Sequence, residues 1–230
     1  LRIQASNEAN VSKISSVRSS IQANDARLNL LKEMEESFEG YAKSVGFIMN
    51  AYKNGEIDGC GNVYGPVSTL ITVSQEYISA IETALGAGLQ HIVVDNEQTA
   101  KACIMSLKQN KIGRATFYPV SSVTGQKPTQ EMINAKKCKG YIGVADELIT
   151  IDKKFTEIFS SLLGRTLIFD NIDNATEMAK SQKYRVKVVT LDGQQINVGG
   201  SFTGGSSKHE SNMLSRGADI KNMQEENKKI

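Results

Sequence analysis

The two ends of this chain carry one periodicity, and the stretch between them carries another. Residues 1–38 contain neither glycine nor proline, and Ile14, Val17, Ile21, Leu28, Leu31 and Phe38 recur on alternating three- and four-residue steps. Asn24 and Glu35 fill the slots in between, as an occasional polar residue does in an a/d seam where it sets register. At the other end Met213, Ile220, Met223, Asn227 and Ile230 share one heptad phase, with Arg216 in the slot after Met213. A short helix is marginal in water unless one face is packed. The spacing therefore predicts that segment 1–39 pairs with segment 208–230, antiparallel, as one coiled coil. Two separate amphipathic helices lying on the central domain would satisfy the same spacing. Leu1 opens inside the pattern, so the expectation is a piece of a longer protein.

Between the ends, short β-rich runs alternate with helical stretches. "LITVS" (70–74), "HIVVD" (91–95), "ATFYPV" (115–120), "TLIFD" (166–170) and "YRVKVVTL" (184–191) read as strands. "QEYISAIETALGAGL" (75–89) places Ile78, Ile81 and Leu85 on one helical face. "EQTAKACIMSLKQN" (97–110) follows Asn96, a good N-cap. "NATEMAKSQ" opens Asn174-x-x-Glu177, similar to a capping box. Asp192-Gly193 between "VKVVTL" and "QQINV" predicts a hairpin. The middle is therefore α+β (mixed α/β), and "VTGQKPTQ" (123–130), with the charged "NAKKCKG" after it, reads as a linker between two halves.

Composition narrows the chemistry. Charge is almost balanced, 27 Lys+Arg against 25 Asp+Glu, so no anionic partner is demanded by bulk charge. Cys60, Cys103 and Cys138 are widely spaced with no C-x-x-C pair, which argues against a zinc site or disulfide framework and for reduced thiols in the cytoplasm. No apolar run approaches the roughly 18 residues of a membrane span. His91 opens an apolar strand and reads as structural, and Asp170 and Asp173 sit where a helix start explains them. No H-E-x-x-H or G-x-S-x-G motif is present, and no cofactor is expected.

The run "VGGSFTGGSSK" (198–208) raises three readings. As a phosphate cradle, Gly200-x-x-x-x-Gly205 has the glycine spacing of a P-loop, but Ser206 holds the lysine slot and Lys208 comes two positions late. "GCGNVYG" (59–65) also mimics a nucleotide-binding loop, and is rejected as a structural loop because Pro66 and a strand-like run follow where a helix is needed. A glycine-rich turn is the second reading. The third is a strand edge stripped of side chains, which allows a partner's sheet to approach closely.

An αβ domain set between the halves of one coil, together with "AIETALGAGLQHIVVD" (80–95), "KIGRATFYPV" (111–120), "LLGRTLIFDN" (162–171), "VVTLDGQQINVGGSFTGG" (188–205) and "LSRGADI" (214–220), resembles the hinge domain of bacterial structural maintenance of chromosomes (SMC) proteins. The resemblance implies a hinge over 40–207 with two similar subdomains, about 40–125 and 135–207, and a doughnut-like homodimer formed through paired sheets. It implies that Gly199, Gly200, Gly204 and Gly205 lie at the dimer contact, and that this piece lacks the ATPase, which belongs to head domains at the far ends of long coils. It further implies a cytoplasmic, nucleoid-associated role in chromosome condensation and segregation, with condensin-type subunits held through the heads and no membrane partner. For weak, sequence-independent DNA binding the candidates are Lys208, His209, the cluster Lys136, Lys137 and Lys139, and Arg185 with Lys187, which strand alternation would put on one face. Solvated lysine faces explain the same residues. The alternative function is a glycine-loop, nucleotide-binding enzyme domain.

Overall fold

The computed structural model describes residues 2–205 and 213–229. They divide into two compact units, Leu1–Glu39 with Arg216–Ile230, and Gly40–Ser215. In chain order the elements are α1 (Arg2–Glu36), α2 (Lys43–Lys53), β1 (Val63–Pro66), β2 (Ile71–Val73), α3 (Ile78–Leu85), β3 (Ile92–Val94), α4 (Glu97–Asn110) and β4 (Phe117–Pro119). There follow α5 (Gln130–Ala135), β5 (Tyr141–Val144), β6 (Ile149–Ile151), α6 (Thr156–Leu163), β7 (Thr166–Phe169), α7 (Ile172–Ser181), β8 (Lys187–Thr190), β9 (Gln195–Ile196), β10 (Phe202–Thr203) and α8 (Met213–Lys229).

In the first unit the seam positions meet as an antiparallel pair. Asn24 Nδ2 donates to Asn227 Oδ1 at 3.5 Å, and Asn227 Nδ2 donates to Asp25 Oδ1 at 2.7 Å. This register brings Leu28 level with Met223 and Leu31 level with Ile220. Leu28 and Met223 are buried, and Leu31 and Ile220 are half-buried. The polar pair thus sits in the seam, where it favours this register over a slipped one. Phe38, expected in the seam, instead lies in the turn after α1 with φ 56°. The backbone explains the difference. Glu39 N–H bonds to Met34 C=O and Phe38 N–H to Glu35 C=O, so Phe38 occupies the left-handed position of a Schellman ending, usually held by glycine. Arg216 completes that end, one guanidinium nitrogen donating to the carbonyls of Met34 (3.2 Å) and Glu39 (3.1 Å).

The second unit repeats itself. Helix, strand, strand, helix, strand, helix, strand runs from α2 to β4 and again from α5 to β8. Val63 and Tyr141, Ile71 and Ile149, and Ile78 and Thr156 open corresponding elements, and the same length of chain separates the members of each pair. The first half forms a three-stranded sheet in the order β1-β3-β4, and the second a five-stranded sheet in the order β10-β9-β8-β7-β5. In the first sheet β3, and in the second β7, runs antiparallel to one neighbour (β1 or β5) and parallel to the other (β4 or β8). Between the halves β2 and β6 pair antiparallel, Ile71 with Ile151, Thr72 with Thr150 and Val73 with Ile149. Thr72 and Thr150 are equivalent positions, so the pseudo-twofold passes between them.

Each half has its own core. Ile92 and Val94 of β3 pack with Ile48, Val63, Cys103 and Leu107, while Leu167 and Phe169 of β7 pack with Met132, Val144, Met178 and Ile196. Helices α4 and α7 start alike. Asn96 accepts from the N–H groups of Gln98 and Thr99, and Asn171 accepts from that of Asn174. Asn171, not Asn174, is therefore the cap of α7. The predicted 75–89 helix is regular only as α3, and the 184–191 strand begins at Lys187. Strand β1 lies in the tail of "GCGNVYG", with a register shift between Val63 and Gly65 that hides its alternation.

Replacing Arg216 with methionine keeps an unbranched side chain but removes the charged donor from the Met34 and Glu39 carbonyls, of which Met34 C=O keeps its bond from Glu39 N–H. Arg216 is only 9% exposed, and a bond to a charged donor is worth roughly 1.5–3 kcal/mol. The expected outcome is a coiled-coil unit less stable by about 2 kcal/mol, read as loss of helical circular dichroism at lower temperature.

Candidate functional site

The glycine run builds the outer edge of the five-stranded sheet. Beyond the hairpin at Asp192-Gly193, β9 pairs with β8 on one side and with β10 on the other, Phe202 opposite Ile196 and Thr203 opposite Gln195. Strand β10 is the end of the order, so among the described residues its outer backbone groups have no strand neighbour. Val198 and Phe202 leave 64% and 53% of their surface in solvent, although both are large and apolar. Gly199 and Gly200 make the turn into β10 with φ near +90°, a conformation that favours glycine. Gly199 N–H bonds to Tyr184 C=O, and a Cβ on Gly200 would press on the Tyr184 ring at 3.3 Å.

At the far end of β10 the Gln194 carboxamide takes the part of a strand neighbour. Its Oε1 accepts from Gly205 N–H at 2.9 Å and its Nε2 donates to Gly205 C=O at 3.3 Å. A Cβ on Gly204 would collide with that same Oε1. Asn197 holds the strand from below through Ser201 Oγ (3.1 Å) and Thr203 Oγ1 (3.4 Å). The four glycines therefore flank an edge strand and its side-chain clamps. Strand β10 lies between Gly200 and Gly205, so these two glycines do not share the one continuous loop that a phosphate cradle requires.

The basic candidates separate. Lys208 and His209 lie outside the described residues. Lys136, Lys137 and Lys139 follow α5 and are exposed, Lys136 at 3.8 Å from Glu147 Oε1. Arg185 precedes β8 and reaches Glu131 Oε1 of α5 at 3.3 Å, so α5 carries the lysine cluster at one end and the Arg185 contact at the other. Lys187 points elsewhere. Its Nζ donates to Ala84 C=O at the end of α3, at 2.9 Å, and burial lowers its pKa from the usual lysine value. Arg185 and Lys187 thus do not form the common face that strand alternation suggested.

Sequence reasoning missed the second free edge. Strand β4 ends the three-stranded sheet. Its Tyr118 stacks on His91, with ring centroids 5.4 Å apart and planes 17° from parallel. His91 Nδ1 is buried and meets no hydrogen-bond partner among the described residues, and burial holds its pKa below the ordinary 6.5. Val198 and Phe202 were the other omission. Their exposure follows from β10 being an edge, which depends on pairing and not on local pattern. Among the described residues no group of His, Cys, Asp and Glu could hold a metal ion, and no helix is long and apolar enough to cross a membrane.

Residues 61–179 match the family model described as SMC proteins Flexible Hinge Domain. The chain is 38% identical over 226 residues to the chromosome partition protein Smc of Desulfitobacterium hafniense, covering 98% of this chain and 19% of that protein. It is 36% identical over 208 residues to the chromosome partition protein Smc of Bacillus subtilis, covering 90% and 17%. The chain thus spans under a fifth of these relatives. Among solved structures, an asymmetric dimer of the Geobacillus stearothermophilus SMC hinge domain superposes with a TM-score of 0.85 at 32% identity, over 96% of this chain and 88% of that one. The Pyrococcus furiosus SMC hinge domain gives 0.57 at 26% identity, over 78% and 88%.

His91 makes stability depend on pH. Because its pKa is lowered in the folded state, the unfolded chain takes up the proton first as pH falls. The stabilising contribution is complete above the unfolded pKa of 6.5 and is lost below it. Between about pH 7 and pH 5 the melting temperature should fall more steeply in the wild type than in His91→Gln, as thermal unfolding scans will show.

Proposed function

This chain belongs to the SMC flexible hinge domain family, and from that premise we propose that it joins two copies of a chromosome-organising ATPase. The observation that carries the reading is the terminal strand β10 with Val198 and Phe202 exposed beside it, matched by the terminal strand β4 of the other half. An edge strand offers backbone groups that a second chain can complete. Strand β10 of one copy then adds to β4 of the other, and the reciprocal contact closes a ring with twofold symmetry. Gly199, Gly200, Gly204 and Gly205 keep side chains out of that contact, and Val198 and Phe202 are covered by it. The solved relative that is an asymmetric hinge dimer supports the reading. In the whole protein the hinge acts in chromosome condensation and segregation, with ATP hydrolysis and condensin-type subunits at the distant heads.

We also propose weak, sequence-independent DNA binding. Lys137, Lys139, Lys136 and Arg185 on the α5 surface contribute to it, with Lys208 and His209 beside the glycine run. Lys187, bonded to Ala84, serves the fold instead.

Light scattering should give a mass near twice 25.1 kDa at tens of micromolar. Phe202→Glu should give the monomer mass with an unchanged circular dichroism spectrum, since Phe202 is half exposed and its loss leaves both cores intact. A wild-type monomer would sink the dimer reading.

DNA binding should weaken steeply with salt. Replacing Lys136, Lys137 and Lys139 together by alanine should lower affinity for all sequences alike and flatten the log–log salt slope by about 0.9 per lost phosphate contact. Lys187→Gln should leave that slope unchanged. Electrophoretic shifts across a salt series measure both, and salt-insensitive binding counts against the assignment.

A further inference from the structure

We propose that Cys60 and Cys103 are a redox-responsive pair, converted by hydroperoxides into a disulfide that staples the loop before β1 onto α4. The two sulfurs lie 4.0 Å apart although the residues are 43 positions apart in sequence. Closing that gap to a covalent bond requires about 2 Å of movement. Cys60 lies between α2 and β1 and is half-buried, so small oxidants reach it from solvent. Cys103 is on α4, wholly buried beside Ala100 and Leu107 in the first core.

The neighbouring backbone holds the pair in place. Gly61 N–H bonds to Thr99 Oγ1 at 3.0 Å, and Asn62 N–H bonds to Asp95 Oδ2 at 3.0 Å. Thr99 and Cys103 are four residues apart, one above the other on the same face of α4. The loop is thus clamped one helical turn from Cys103, with Cys60 next in line. Cys138, the third thiol, packs on the core of the other half and has no such neighbour among the free cysteines.

The chemistry closes in two steps. The Cys60 thiolate attacks the terminal peroxide oxygen, the O–O bond breaks, hydroxide leaves from hydrogen peroxide or alkoxide from an organic hydroperoxide, and Cys60 becomes a sulfenic acid. The Cys103 sulfur then attacks the Cys60 sulfur. The S–S bond forms, the S–O bond breaks, and the departing hydroxide leaves as water with the Cys103 proton. Two thiols are oxidised and one hydroperoxide is reduced, to two waters when it is hydrogen peroxide. Burial raises the Cys60 pKa and pushes that of Cys103 up to about 12. Little thiolate exists at neutral pH, so the reaction is slow there and accelerates with pH.

The test treats the full chain with hydrogen peroxide, alkylates the remaining thiols and reads intact mass and peptides. Wild type and Cys138→Ser should both yield the linked Cys60–Cys103 peptide pair and lose two hydrogens, reversibly with dithiothreitol. The rate should rise nearly tenfold per pH unit below the thiol range. Oxidised protein should melt several degrees above the reduced form, and the gain should vanish in Cys60→Ser, which leaves the buried Cys103 in place. The proposal is overturned if both thiols stay alkylatable, or if they pass to sulfinic acids without a linked peptide.

Discussion

The short ladder between β2 and β6 is the contact on which the rest of the central unit depends. A two-stranded ribbon of three residues is marginal by itself. It persists here because α3 packs against α6 and against β8 beside it. Its symmetry follows from the repeat, since Thr72 and Thr150 can face each other only when both halves present the same position to the axis. Strands β1 and β5, which lead into the ladder, lie at one end of their sheets. Strands β4 and β10 lie at the other, each with one strand neighbour, as β1 and β5 have at theirs.

A bare edge invites indiscriminate pairing, and the two edges are protected in different ways. Strand β4 is three residues long and ends at Pro119, which has no N–H to offer. Strand β10 is shorter still, and the Gln194 carboxamide takes up both backbone groups of Gly205 that would extend it. A partner docking there would have to match a very short ladder, and covering the exposed Val198 and Phe202 would supply much of its gain.

The periodic ends, the α4 boundaries and the β8–β9 hairpin were legible because each carries a local signal: heptad spacing, the Asn96 cap, Asp192-Gly193. The internal repeat was not read from the residues, since the two halves share positions and few identities. Asp95-Asn96 and Asp170-Asn171, each following a buried strand, are the trace it leaves. The end of α1 was misjudged where glycine is missing. Phe38, Lys111 and Lys183 all adopt the left-handed conformation that closes a helix, and none of them advertises it. Strands β5 and β6 are too short to show alternation. The glycine run was expected at a contact surface, and it brackets the terminal strand of its sheet; the place of β4 and the exposed apolar residues depend on long-range strand order.

Lys187 shows why basic residues cannot be counted as a surface. Alternation along a strand assigned it to the same face as Arg185, yet the ammonium lies against the last turn of α3, donating to Ala84 C=O. The chain leaves that helix at Gly86 with φ 49°, a turn that exposes terminal carbonyls to whatever packs there. A positive charge is favoured at a helix C-terminus, because the carbonyl dipoles point towards it. The desolvation that lowers the Lys187 pKa is offset locally by this bond, which links a helix of one half to a strand of the other. An ammonium so engaged would have to break that link to reach a phosphate. The lysines after α5 are exposed, and the ion pair among them, Lys136 with Glu147 at 3.8 Å, is open to solvent, so a phosphate would cost them less.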